Sequence, residues 1–99
     1  MTAQDETEVQ VSSQGEPVHY AWIHNPNSEV VYLQVWDDLA ANVTPGSDAP
    51  RYTFPIDGAF IGMVPLNVVT NTALTIAITG AVDGSGTITT DCVGNLSYR

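Results

Sequence analysis

VVYLQVW, residues Val30 to Trp36, is the stretch on which the fold turns. Successive side chains of a strand point to opposite faces of a sheet. Val31, Leu33 and Val35 therefore form one apolar face, and Val30, Tyr32, Gln34 and Trp36 form a second that is nearly as apolar. Such a strand has to be covered on both faces, which a single-layer sheet cannot do. The cover comes either from a second sheet or from a neighbouring chain, and the latter suits an assembly component better than a free-standing catalyst.

The chain has 99 residues, which is one domain. A domain of this size buries only about 60 to 65 per cent of its unfolded surface, so its stability margin is thin without further support. Disulfides cannot supply it, because Cys92 is the only cysteine; it reads as a small apolar packing residue. No thiolate zinc site follows from one thiol either. Association with further copies is the remaining source of support.

Eleven acidic residues face two arginines, Arg51 and Arg99, with a formal charge of −9. Neutralising phosphates takes clustered Lys or Arg, so nucleic-acid binding and anionic membrane surfaces are disfavoured. The acidic balance suits solubility and docking on a surface with some positive charge. No run approaches the roughly 18 apolar residues of a membrane span. The start, MTAQDETEVQ, lacks the basic and apolar parts of a signal peptide, so synthesis in a cytoplasm without processing is expected.

Outward from the central strand, residues 1–16 are polar and acidic, with only Val9 and Val11 alternating. This composition reads as an extended or flexible N-terminal arm that orders against a partner, followed by a β domain over 17–99. After Pro17, Val18, Tyr20 and Trp22 alternate with His19, Ala21 and Ile23; the turn Asn25-Pro26-Asn27-Ser28 then leads back into the central strand as a hairpin. Residues 38–50 carry loop chemistry with room for one helical turn at Leu39 to Val43. Arg51 to Ile56 alternates until Pro55, which places it at a sheet edge or strand end. Phe60 to Val69 is apolar but interrupted by Gly62 and Pro65, so one or more short strands are expected there. Leu74, Ile76 and Ile78 face inward opposite Thr75, Ala77 and Thr79. Val82 to Gly86 reads as a tip, and Thr87 to Tyr98 as the last one or two strands.

Short strands with frequent turns and no helical periodicity predict an all-β fold, an antiparallel β-sandwich or jelly roll. At about 1.5 to 3 kcal/mol per well-buried apolar side chain, Tyr20, Trp22, Leu33, Val35, Phe54, Ile76 and Ile78 can support its core. Trp36 has two possible roles, filling a second layer or anchoring a subunit contact.

Catalytic chemistry is not legible. His19 and His24, five apart on a strand, fall on opposite faces and cannot share a metal. Asp83-Gly84-Ser85-Gly86 has too few oxygen ligands for a calcium loop and the wrong order for an aspartic-protease triplet. Asp37-Asp38 reads as a solvated pair. No nucleophile elbow, phosphate loop or dinucleotide fingerprint occurs, and the acceptor triplets at Asn42 and Asn95 carry no weight without a secretory signal. The expectation is a protein that is not an enzyme, with no cofactor and no metal.

The order of VYLQVWD (Val31 to Asp37), VTPGSDAP (Val43 to Pro50), FPI (Phe54 to Ile56), LTIAITGAVDGSG (Leu74 to Gly86) and VGNLSYR (Val93 to Arg99) resembles small structural proteins of tailed bacteriophages. In that family a strand ending in aspartate leads to a Gly-x-Asp-x-Pro loop, an apolar strand, an Ala-Ile-Thr strand and a terminal aromatic-basic pair. The resemblance spans residues 29–99, with 57–71 outside it. It implies a capsid decoration or cement protein on the outer surface of the virion, non-enzymatic, bound to the major capsid protein and homo-oligomeric, with a trimer favoured. The expected subunit or capsid contacts are Val9 and Val11 on the arm and Val30, Tyr32 and Trp36 on the central strand. Two other roles fit the same residues: a tail, neck or head-fibre base component, and a carbohydrate or cell-surface binding module that stacks sugars on Trp22, Trp36 and Tyr52.

Overall fold

The computed structural model of the chain describes residues 2–3, 9–12, 15, 17–82 and 92–98. Its strands are β1 (Thr2–Ala3), β2 (Val9–Ser12), β3 (Pro17–His24), β4 (Val31–Trp36), β5 (Tyr52–Ile56), β6 (Ile61–Val69), β7 (Leu74–Thr79) and β8 (Cys92–Tyr98). A single 3-10 turn, Ala40–Asn42, interrupts the loop after β4. Two antiparallel four-stranded sheets result, sheet one in the order β1-β8-β3-β6 and sheet two in the order β2-β7-β4-β5.

The central strand pairs as its pattern requires. In sheet two, β4 lies between β5 and β7, with Leu33 opposite Phe54 and Ile78, and Val35 opposite Tyr52 and Ile76. One buried cluster joins these residues to Val18, Ala21, Ile23, Leu66, Val68 and Cys92 of sheet one. The two sheets thus share a core. Pro55 sits on β5, at the edge of sheet two, where a missing N–H breaks no ladder between two strands.

The second face of β4 is closed by the chain itself. Trp36 is 4% exposed and packs with Val43 and Ala77, because residues 37–50 fold back over the outer side of sheet two. Its indole N–H donates to the Asp48 carbonyl at 3.0 Å, and the Thr75 hydroxyl donates to the Asp38 carbonyl at 2.7 Å. Gln34, fully buried, donates from Nε2 to the Val82 carbonyl at 2.6 Å and accepts from the Thr79 hydroxyl at 2.9 Å. Of the two roles open to Trp36, burial within the fold is the one observed. Thr75, Ala77 and Thr79 do point away from the core, yet all three are buried beneath this cover.

Sheet one departs from the simple alternation read in the sequence. A bulge between Val18 and Tyr20 shifts the register of β3 against both β6 and β8. A bulge adds one residue and reverses the facing of everything beyond it. Val18 therefore points into the core together with Ala21 and Ile23, while Tyr20 and Trp22 point out, 41% and 38% exposed. The expectation that Tyr20 and Trp22 support the core is corrected accordingly.

The stretch after Phe60 is one nine-residue strand, not several. Leu66 and Val68 face the core, and Ile61, Met63, Pro65 and Val69 face out. β6 is an edge strand, so Pro65 costs no central hydrogen bond. Gly94 marks a close approach inside the sheet: a Cβ there would lie 2.2 Å from the Trp22 carbonyl oxygen. Only glycine lets β8 run this near β3.

Asn25 organises one end of the molecule. Its amide donates to the carbonyls of Glu29 at 3.1 Å and Asp57 at 2.9 Å, and its Oδ1 accepts from the Asn27 backbone and side-chain amides at 3.0 and 2.9 Å. Removing this fully buried group strands several partners, so Asn25→Ala should cost about 2–3 kcal/mol. The two tryptophans should behave oppositely. Trp36→Ala should cost about 3–5 kcal/mol and Trp22→Ala less than about 1 kcal/mol, at about 4–8 °C of Tm per kcal/mol in thermal unfolding by circular dichroism.

Candidate functional site

Among the described residues, five of the seven exposed large apolar side chains, Tyr20, Trp22, Ile61, Met63 and Val69, lie on the outer face of sheet one, where β3 and β6 run side by side. Register places Tyr20 beside Pro65, Trp22 beside Met63 and His24 beside Ile61. Ile61 is 63% exposed and Met63 58%. The four strand sequences of this sheet, TA, PVHYAWIH, IGMVPLNVV and CVGNLSY, contain no Asp, Glu, Lys or Arg. All eleven acidic residues and both arginines therefore lie off the sheet's strands. On a chain of charge −9, the described part of this face, on β3 and β6, is thus aromatic and aliphatic and carries no Asp, Glu, Lys or Arg. Scattered exposed apolar residues need no explanation, but a contiguous group of this kind is a candidate contact surface.

A second candidate is a cleft of about 510 Å³ beside Trp36, where Asp37, Asp38, Asp48 and Arg51 gather. Each carboxylate already serves the backbone. Asp37 accepts from the amides of Asn71 at 2.9 Å, Thr72 at 2.7 Å and Ala73 at 3.3 Å, tying the start of the covering loop to the β6–β7 turn. Asp38 accepts from the Leu39 amide at 2.8 Å and the Asn42 side chain at 3.2 Å. Asp48 accepts from the Thr44 amide at 2.7 Å. Asp37 and Asp38 diverge as neighbours at a strand end do, each closing a separate turn through hydrogen bonds that lie at the surface. Arg51 stacks its guanidinium 6.0 Å from the Tyr52 ring centroid. Among the described residues no three His, Cys, Asp or Glu side chains gather as metal ligands.

Of the residues expected to make contacts, three lie on or beside β4 and two on β2. Trp36 and Val30 belong to β4 and its approach, where Trp36 is buried, while Val30 and Tyr32 are half-buried. Val9 and Val11 lie on β2, which pairs with β7 of the same chain, Val9 opposite Ile76; their side chains fall outside the described residues, as do residues 83–91. Ile61 and Met63 were missed. Their signal was available, since IGMVPLNVV is apolar at both odd and even positions and carries no charge.

None of the protein families compared with the chain matches it, and no curated protein or solved structure matches it either.

Asp37 sets a pH dependence. Slight burial pushes its carboxyl up, but the amides of Asn71, Thr72 and Ala73, helped by Arg51, outweigh this and hold it below the ordinary value. A carboxylate lowered on folding stabilises the fold fully above its unfolded pKa of about 3.9, and that contribution fades as pH falls through the lower folded value. Wild type should therefore exceed Asp37→Asn in Tm at pH 7, and the gap should close below about pH 4 in melts across a pH series.

Proposed function

We propose that this chain is a non-enzymatic virion structural protein, a capsid decoration or cement protein seated where capsomers meet. We infer that its two sheets, packed over one core, form a β-sandwich. The uncharged outer face of sheet one carries the reading: it is apolar area that the fold leaves unburied on an otherwise acidic domain. The phage-protein resemblance over residues 29–99 supports it from the sequence side. A decoration protein works by adding buried area between neighbours, and a ligand that binds only the assembled state stabilises it by mass action, about 2.7 kcal/mol at 100 times its Kd. Tyr20, Trp22, Ile61 and Met63 are the residues proposed to make that contact; Trp36 is buried within the fold.

A carbohydrate-binding reading has one observation in its favour, the neighbouring exposed rings of Tyr20 and Trp22. The burial of Trp36 removes one of the three aromatic residues that reading relied on. Added purified chain should bind expanded shells of the phage that encodes it and raise their melting temperature, with Trp22→Glu weakening both effects. Shells that neither bind the protein nor melt higher in its presence would rule the reading out, and retention on a glycan array would favour the alternative.

A further inference from the structure

We propose that the outer face of sheet one is covered by a second copy of this chain, two copies meeting face to face about a twofold axis. The inference takes up the contact surface of the preceding section and names its partner. Three observations lead there.

Charge comes first. Each copy carries −9, so two copies repel unless they meet where carboxylates are absent. Among the described residues the β3–β6 face is such a place, because neither strand bears Asp, Glu, Lys or Arg, whereas the cover of sheet two carries Asp37, Asp38 and Asp48. A basic partner would gain nothing from docking on this face. An equally uncharged face is the better match.

Area comes second. Tyr20, Trp22, Ile61, Met63 and Val69 are between 38% and 63% exposed. For side chains of this size that leaves on the order of 100 Å² apiece, so two faces bury about 1,000 Å² together, the lower end of specific interfaces. A weak, reversible dimer follows rather than an obligate one.

Symmetry comes third. The remaining exposed large apolar residues among the described ones, Leu39 and Val82, belong to the loop after β4 and the segment after β7 and form no second patch with this face. A ring of three needs two different complementary patches per copy, whereas a twofold contact needs one patch that fits itself. The structure therefore favours a dimer over the trimer that the resemblance implied. Edge-to-edge pairing of β6 is the poorer alternative, since Pro65 and the positive φ of Asn67 (51°) disrupt that edge.

Sedimentation equilibrium of the full chain, over a wide concentration range and at low and high sodium chloride, tests the proposal. The expected result is a monomer–dimer equilibrium whose Kd falls several-fold as salt screens the repulsion between like-charged copies. Trp22 emission should shift to the blue with concentration, and this shift should vanish in Trp22→Phe while Trp36 emission stays constant. Met63→Glu and Trp22→Ala should each weaken the dimer at least tenfold with melting by circular dichroism of the monomer little changed, and Leu39→Glu should leave it intact. A strict monomer, a trimer, association that weakens with salt, or a dimer indifferent to both face variants would each overturn the proposal. Because no shells are present, dimerisation without shell binding would remove the virion reading alone, and shell binding by a strict monomer would remove the dimer alone.

Discussion

The fold depends on covering β4 twice. Val31, Leu33 and Val35 are covered from sheet one, but Tyr32, Gln34 and Trp36 face away from it and need a separate layer. That layer is a loop, and a loop has no ladder of its own to hold it down. Its fastening is made of discrete polar links: Asp37 to three successive amides of residues 71–73, Trp36 to the Asp48 carbonyl, and Thr75 to the Asp38 carbonyl. A carboxylate gathering consecutive backbone N–H groups is a strong arrangement, because the charge-assisted bonds share one acceptor. The acidic residues near the loop are in this sense structural.

The same constraint explains where polar groups are buried. Gln34, Thr75 and Thr79 sit under the cover without an unsatisfied atom, since among the described residues every buried side-chain nitrogen and oxygen has a partner. Asn25 does the equivalent work at the hairpin end, where it joins the 25–30 turn to the turn at 57–60. Gly58 belongs to this junction too: a Cβ there would meet the Ser28 carbonyl oxygen at 2.2 Å. The neighbouring Ala59 takes the positive φ of 61° that glycine would adopt more readily. Close approach, rather than the left-handed backbone, fixes the glycine's position in this turn.

How much of this was legible in the sequence follows from which signals are local. Period-two alternation in residues 31–36 and 74–79 gave the strands and their inward faces correctly, and Pro55 correctly placed β5 at an edge. The bulge at Val18–Tyr20 left no local mark, because it exists only in the pairing with β6 and β8. One extra residue there was enough to invert the assignment of Tyr20 and Trp22, and with it the location of the exposed face. Trp36 misled for a related reason: its cover comes from residue 43 of a loop and residue 77 of another strand, neither visible in the alternation of β4. Gly62 and Pro65 looked like breaks in a strand because breakers are judged for central positions, and β6 is not central.

These displacements move the candidate contact surface from one sheet to the other, and the charges of the described residues fit the second location better. A small domain gains little from an exposed aromatic strand face and risks non-specific association by keeping it. Carboxylates next to that face would reduce the risk by repulsion, and a domain with eleven of them has the means. Among the described residues the acids Glu29, Asp37, Asp38, Asp48 and Asp57 lie off sheet one's strands, and Asp37, Asp38 and Asp48 hold backbone turns. Among the described residues, uncharged strands beside acid-bearing loops leave one apolar face without the repulsion that carboxylates supply elsewhere. On the proposed reading, that division would restrict association to one direction.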